Sequence, residues 1–478
     1  MDKRDVLFIG GEWVAPASSK TIEVVSPATE EVIGVVPEGT EADMDRAVAA
    51  ARKAFDDGPW PQTSPKERAD MIRALSQAIQ ARSQEFAETI TSENGSPASF
   101  SLMGQVFAAT MVLDGFADVA ESYAFDEERP GMMGSCIVHK APVGVAAGII
   151  PWNVPLFITS MKLGACLASG STMVLKPAPE TPLDSYTLAE ILQEIGLPAG
   201  VVNIVAAGRE VGEHLVRHPG IDKVSFTGST AAGRKVGAIC GEQLKRCTLE
   251  LGGKSASLIL DDADLSAAIP GVLPAALMNN GQACVAQTRI LAPRSRYREV
   301  VDALADAVRE QKVGDPTQPD TAVGPLVAER QRDRVEGYLD AGRKEGARVV
   351  VGGGRPKDLD RGWYVEPTVF ADVDNGMKIA QEEIFGPVLS VIPFDDDADA
   401  VRIANDSDYG LSGSVWTADR DRGVGVAKRV RTGTYAVNSG MTIDLKNPFG
   451  GFKSSGIGRE IGPEGLEEYL EIQTIVLG

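Results

Sequence analysis

The sequence predicts an α/β fold with two parallel-sheet units and a small separate β element. Three observations carry this. From residue 143 onward, short β-rich runs at Gly144 to Ile150, Thr172 to Leu175, Val201 to Val205 and Lys223 to Phe226 alternate with stretches of helical length such as Pro182 to Ile195. That is the βαβ rhythm of a parallel sheet. The rhythm restarts after Glu250, with strands expected at Ser255 to Leu260, Ile290 to Ala292 and Val388 to Pro393, and helices at Ser266 to Asn279 and Arg298 to Lys312. A junction is therefore expected near Leu249 to Gly253. Finally, Met132 to Ala141 and Ile472 to Leu477 are β-like but have no helices of their own. Such segments need partners, and they are expected to pair with each other or across a subunit boundary.

Ahead of the first sheet the pattern is helical. Met44, Val48, Ala51 and Phe55 share one helical face, and Thr40 with Asp43 has capping-box spacing. A second helix should start at Ser64-Pro65, turn Ile72, Leu75, Ile79 and Phe86 inward, and stop at Asn94-Gly95.

Composition narrows the function. The 478 residues are 43% hydrophobic and 24% charged, as expected for a globular chain of about three domains. With 47 Lys+Arg against 67 Asp+Glu the net charge is -20, which argues against nucleic-acid and anionic-membrane partners. Five cysteines without a C-x-x-C pair give neither a disulfide framework nor a zinc pattern, and point to a reducing compartment. The start, MDKRDVLFIGGEWV, has no secretory h-region, and the apolar run from Val143 to Ile158 is broken by Pro151, Trp152, Asn153 and Pro155. A cytoplasmic protein is expected.

The candidate chemistry begins at Lys223 to Gly233, a strand, a glycine turn at Gly228-Ser229 and a helix start whose free amides suit a phosphate. Lys176 follows another strand, where its ammonium can meet a ribose or phosphate. Leu251 to Ser255 ends like a P-loop, but position 248 is Thr rather than the required Gly, which removes an ATPase or GTPase reading. Cys284 ends Asn279-Asn280-Gly281-Gln282-Ala283-Cys284, an irregular segment that can expose a sulfur. Cys136, Cys166, Cys240 and Cys247 look like buried small apolar residues. Glu250 lies in an apolar, glycine-rich stretch where burial would raise its pKa and suit it to general-base work. His214 and His218 lack a metal-site pattern and read as surface residues, and Asp395 to Asp397 reads as a solvated loop.

Six motifs together, in order, resemble the NAD(P)-dependent aldehyde dehydrogenase family. They are Pro151-Trp152-Asn153-Val154-Pro155, Phe226-Thr227-Gly228-Ser229, Glu250-Leu251-Gly252-Gly253-Lys254, Gly281-Gln282-Ala283-Cys284, Glu383-Ile384-Phe385-Gly386-Pro387-Val388, and Pro448 to Gly456. The spacing of 34 residues from Glu250 to Cys284 also fits. The resemblance covers nearly the whole chain. It implies a Rossmann-like dinucleotide-binding domain (1–121 and 142–249), a second Rossmann-like catalytic domain (250–446), and an oligomerisation element with the C-terminal segment (122–141 and 447–478).

The resemblance also implies roles. Cys284 would attack the aldehyde, Asn153 and the Cys284 N–H would hold the oxyanion, Glu250 would activate water, and Lys162 with Glu460 would relay its proton. Trp152, Lys176, Gly228, Ser229, Glu383 and Phe385 would bind NAD. The family's NAD-preferring members often carry Glu three residues after the lysine; here Pro179 stands there and Glu180 follows, so NADP is also possible. Val154, Phe157, Met161, Val285 and the Met441 to Ile443 stretch resemble substrate-tunnel positions, and their apolar character suggests an uncharged aliphatic or aromatic aldehyde. No metal is implied, and a homodimer or homotetramer is expected. A CoA-acylating semialdehyde dehydrogenase and a catalytically silent homologue stand as alternatives.

Overall fold

A computed structural model describes residues 2–132 and 134–477. Capping chemistry sets the first helices. Thr40 and Asp43 form a reciprocal capping box before the helix Glu41–Asp56, which buries Met44, Val48 and Ala51. Ser64 and Glu67 do the same for Pro65–Ala81. The second helix does not run on to Asn94. It breaks at Arg82, whose guanidinium is held by Glu85 and Glu190 at 2.7 Å each, and restarts as Ser83–Asn94. Ile72, Leu75, Ile79 and Phe86 all still face the core.

A continuous helical run, Ala98–Ser122, contains a π-helical turn at Ser101–Phe107. It is long and apolar enough to cross a membrane by length and composition, and half of its most apolar window is buried within the fold. Here Val106, Val112, Leu113 and Phe116 are buried, and the run packs on the helices Pro65–Ala81 and Pro155–Ser169.

The first large sheet has eight strands, ordered Gly456–Ile457, Arg246–Glu250, Lys223–Thr227, Val145–Ile149, Thr172–Lys176, Val202–Ile204, Leu7–Ile9 and Glu12–Val14. Its five central strands are parallel, and antiparallel strands close both sides. From Val145–Ile149 the chain winds outward to Val202–Ile204, then returns to the opposite side at Lys223–Thr227. This reversal opens a crevice beyond the carboxyl ends of those two strands, where open α/β sheets bind ligands. Arg246–Glu250 is a strand that the sequence pattern does not predict, because Arg-Cys-Thr-Leu-Glu lacks an apolar run; it sets Glu250 opposite Thr227, where its charge acts on Cys284.

The second sheet has seven strands, ordered Arg348–Val351, Thr368–Ala371, Val388–Phe394, Arg289–Pro293, Ala256–Ile259, Gly413–Trp416 and Ala436–Val437. All its pairings are parallel except the first. A third sheet joins the two lone β segments. Leu470–Leu477 runs antiparallel to Gly134–Pro142, in register from Leu470 opposite Pro142 to Leu477 opposite Ser135, with Asp126–Gly131 on the far side. The segments thus pair with each other, although Met133, inside the first of them, lies outside the described residues.

Some surface readings change. Asp396 caps the helix Asp397–Asn405, Asp395 meets Arg294 and Asp397 meets Arg422, so this acidic run is an ordered helix start. His214 Nε2 lies 2.6 Å from Asp45. Cys166 and Cys240 are buried as expected, whereas Cys136 and Cys247 are only half-buried, the former on the thin three-stranded sheet and the latter beside exposed Arg246.

Candidate active site

The crevice at the strand reversal is a cavity of about 250 Å³. The first sheet contributes Trp152, Asn153, Thr227, Gly228 and Ser229; Cys284, Gln331, Arg334, Glu383 and Phe385 close it from the other side. A larger surface hollow of about 830 Å³ between Arg296, Tyr297 and Asp372 contains none of these residues.

Local backbone chemistry places the sulfur. The helix Leu265–Leu277 ends, and Asn279 and Asn280 adopt left-handed φ values of 50° and 61°, turning the chain sharply into an irregular segment. Asn280 Nδ2 anchors the turn on the carbonyls of Gly95 and Pro325, both at 2.9 Å. The backbone of Gly253 lies against Cys284 so closely that a Cβ there would come within 2.2 Å of the Cys284 carbonyl oxygen. Cys284 therefore sits at the cavity wall. Burial, followed by the charges of Glu383 and Glu250, pushes its thiol well above the ordinary range. The free chain holds it as a thiol.

Asn153 is 4% exposed, and its Nδ2 donates to the Gln282 carbonyl at 2.8 Å, leaving a second N–H. Its own carbonyl accepts from Asn94 Nδ2 at 2.9 Å and Asn279 Nδ2 at 2.8 Å. The amide is thereby fixed beside the sulfur-bearing segment.

Glu250 ends its strand opposite Thr227 and is 2% exposed. Neither carboxylate oxygen has a hydrogen-bond partner. Burial, then the nearby Glu460 charge, drives its pKa well above the carboxylate range, against the opposing pull of Lys162 and Arg459. Lys162 and Glu460 are brought together: Lys162 Nζ is 2.5 Å from Glu460 Oε1, and Ser225 Oγ lies 3.1 Å from each.

On the opposite wall, the Trp152 and Phe385 rings meet edge to face with centroids 5.3 Å apart. Phe385 holds a strained φ of 62°, and Gln331 Nε2 pins its carbonyl at 2.7 Å. Glu383 Oε1 accepts from the Gly253 N–H at 2.9 Å, and burial raises its pKa to about 7. Gly228 leads to Ser229, which caps the helix Thr230–Gln243 and leaves first-turn amides facing the crevice. Lys176 is buried at the end of its strand, donating to the carbonyls of Pro177 and Ala207 at 2.9 and 2.8 Å; burial lowers its pKa to about 8.

Phe157, Met161 and Val285 are buried and Val154 half-buried in one apolar cluster that also contains Cys284 and Ile443. Met441, expected on the tunnel, is instead 73% exposed, because residues 441–447 form a surface loop. Sequence reasoning missed Asn94, Asn279, Gln331, Arg334, Ser225 and Thr227. Only the left-handed Asn279-Asn280 pair left a local trace, two turn-forming residues just before a glycine. Thr227 Oγ1 is buried without a partner, an acceptor and donor left for a ligand.

A cysteine-bearing loop and a fixed amide at the crevice of a doubly wound sheet, with a buried carboxylate nearby, define a dehydrogenase-like α/β architecture. A model of the aldehyde dehydrogenase family matches residues 13–475, and the chain belongs to that family. It is 48% identical over 472 residues to geranial dehydrogenase of Castellaniella defragrans, covering 98% of both chains. The structure superposes on Mycobacterium tuberculosis aldehyde dehydrogenase complexed with NAD+ with a TM-score of 0.98 at 51% identity, covering 100% of this chain and 99% of that one. A variant of aldehyde dehydrogenase C from Pseudomonas syringae, complexed with NAD+ and octanal, gives 0.96 at 42% identity over 99% and 96% of the two chains. The expected fold class, two parallel-sheet units with a small β element, is that of these proteins.

Proposed function

We propose that the chain oxidises an uncharged, apolar aliphatic or aromatic aldehyde to the carboxylic acid with NAD, through a thiohemiacetal and a thioester on Cys284. The observation that carries this reading is that the Cys284 thiol and the Asn153 amide line one cavity, with the unpartnered Glu250 carboxylate near enough for its charge to act on the thiol, while Cys284 packs in one apolar cluster with Phe157, Met161 and Val285.

The residues fit a dinucleotide. The free amides after Ser229 suit a pyrophosphate, Lys176 and the unpartnered Thr227 hydroxyl are left for ribose and phosphate oxygens, and the Trp152–Phe385 slot with Glu383 suits the nicotinamide end. NAD, when bound there, accepts the hydride that a tetrahedral adduct can expel and a planar aldehyde cannot. Cys284 must first lose its proton, and burial followed by the two nearby carboxylates opposes this. Its attack places an oxyanion between the spare N–H of Asn153 and the backbone N–H of Cys284. Glu250, held basic by burial, then takes a proton from the water that attacks the thioester. Thiolysis by CoA is the competing fate of that thioester; a buried carboxylate with both oxygens unengaged supports water.

Asn153→Ala removes one preorganised donor while keeping the thiol. It is expected to lower kcat by about 10²–10³-fold with little change in KM, read from initial rates of NADH formation.

The cofactor end admits NADP, because uncharged Pro179 replaces the acidic position and Glu180 is engaged by Arg330. The division at 1–121 with 142–249, 250–446, and 122–141 with 447–478 is supported by the two large sheets and by the pairing of Leu470–Leu477 with Gly134–Pro142, although Gly456–Ile457 of the last segment joins the first sheet. Leu470–Leu477 supports a homo-oligomer: it is an edge strand whose outward Ile472 and Val476 are exposed. Five free cysteines support a reducing, cytoplasmic location. Net charge supports the absence of nucleic-acid and anionic-membrane partners.

The reading is tested by assaying straight-chain, aromatic and carboxylate-bearing aldehydes with NAD and NADP, with and without CoA. Turnover of the apolar aldehydes without CoA is expected. A strict CoA requirement, or a preference for charged aldehydes, overturns it.

A further inference from the structure

One face of the first sheet carries a buried polar stripe. On the strand Lys223–Thr227 it presents Lys223, Ser225 and Thr227, and on Arg246–Glu250 it presents Thr248 and Glu250; in the parallel register Ser225 lies opposite Thr248 and Thr227 opposite Glu250. The other face of the same strands, Val224, Phe226 and Leu249, is ordinary apolar core. Lys223, Ser225, Thr248 and Glu250 are each 2% exposed or less. Burying a lysine, a carboxylate and two hydroxyls side by side is costly unless they form a connected network.

The stripe holds two hydrogen-bonded halves, one beside Glu250 and one reaching the surface, with the Tyr469 hydroxyl between them. Next to Glu250, Glu460 Oε1 accepts from Lys162 at 2.5 Å and from Ser225 Oγ at 3.1 Å. One strand position away, Lys223 Nζ donates to Thr248 Oγ1 at 2.7 Å, and Thr248 Oγ1 donates to Glu468 Oε2 at 3.2 Å. Glu468 is the first member with water access, its side chain 28% exposed. Between the two halves lies Tyr469, whose ring sits 4.7 Å from Lys223 Nζ and whose buried hydroxyl has no hydrogen-bond partner. Burial lowers the Lys223 pKa to about 8, so it can give up and regain a proton near neutrality. Burial, then Cys166 and Glu460, keeps the Tyr469 phenol neutral.

We infer that Ser225, Tyr469, Lys223 and Thr248 extend the Lys162–Glu460 pair into a proton exit path that ends at Glu468 on the surface. This rests on the reading of Glu250 as the base. When water adds to the thioester, its oxygen bonds to the acyl carbon, the carbon–sulfur bond breaks, the sulfur leaves as thiolate and one water proton stays on Glu250. That proton must reach solvent before the next turnover, and the two halves of the stripe, with Tyr469 between them, lie between Glu250 and partly exposed Glu468. The four added residues touch neither substrate nor cofactor and act through Glu250, as positioning and conducting groups.

Single-turnover stopped-flow tests this, following NADH absorbance and, in weakly buffered solution, proton release with a pH-indicator dye. In Glu468→Gln and Thr248→Val, NADH formation is expected at the parental rate, while proton release slows roughly tenfold and its solvent isotope effect rises. Glu468→Asp should restore most of the release rate. Should Thr248→Val fail to fold, partly exposed Glu468 carries the test alone. Parental proton release in Glu468→Gln overturns the path. Glu250→Gln separates the two ideas: if it hydrolyses the thioester at the parental rate, the base reading itself fails, whereas a stalled Glu250→Gln with a silent Glu468→Gln removes only the path.

Discussion

Cys284→Ala is expected to give a folded protein with aldehyde oxidation reduced roughly 10⁵-fold or more. The size of the effect follows from the absence of a substitute. Cys166 and Cys240 are buried in packed core, and Cys136 and Cys247 lie on strands that do not line the cavity. Without the sulfur no tetrahedral adduct forms, and the fixed Asn153 amide has no oxyanion to hold. Stability should change little, within about 1 kcal/mol, because the lost atom is small and borders a cavity. Thermal melting, NAD titration by protein fluorescence and NADH absorbance check the three parts separately. Retained turnover would remove Cys284 from the mechanism.

Glu250→Gln should separate the two halves of the reaction. The amide fills the same space and cannot accept a proton, so a first stoichiometric burst of NADH is expected to survive while steady-state turnover falls about 10²–10⁴-fold. The pH dependence has a definite sign. Only the ionised carboxylate is a base, and burial with Glu460 raises its pKa, so parental kcat should climb with pH through a range well above that of an ordinary carboxylate. Glu250→Gln should lose that limb. A pH–kcat profile of both proteins decides the matter, and an identical limb in the variant would assign the titration to another group.

The parts of the site legible in the sequence are those whose chemistry is written in adjacent residues. Cys284 follows a glycine turn, Glu250 stands among apolar residues and glycines, and Ser229 opens a helix after a strand. Their use of space was not legible: that Gly253 admits the Cys284 backbone where any side chain would collide appears only in the fold. What stayed hidden comes from far along the chain. Asn94 reaches Asn153 across 59 residues, and Gln331 reaches Phe385 across 54, contacts that only the folded topology creates. The polar stripe was hidden for a different reason: Lys223, Ser225 and Thr248 alternate with apolar residues as any half-buried strand would, and only a covering helix and C-terminal segment make them buried. The helix break at Arg82 likewise depends on Glu190, supplied by another helix.

At the centre of the proposed reaction is a covalent acyl group carried by one sulfur and released by one carboxylate. Its most direct measurement is mass spectrometry of Glu250→Gln quenched after a single turnover with NAD and a straight-chain aldehyde. One added acyl group per chain is expected, mapped by peptide digestion to Cys284 and lost on treatment with hydroxylamine. An unmodified Cys284 in a sample that has already formed its equivalent of NADH would contradict it.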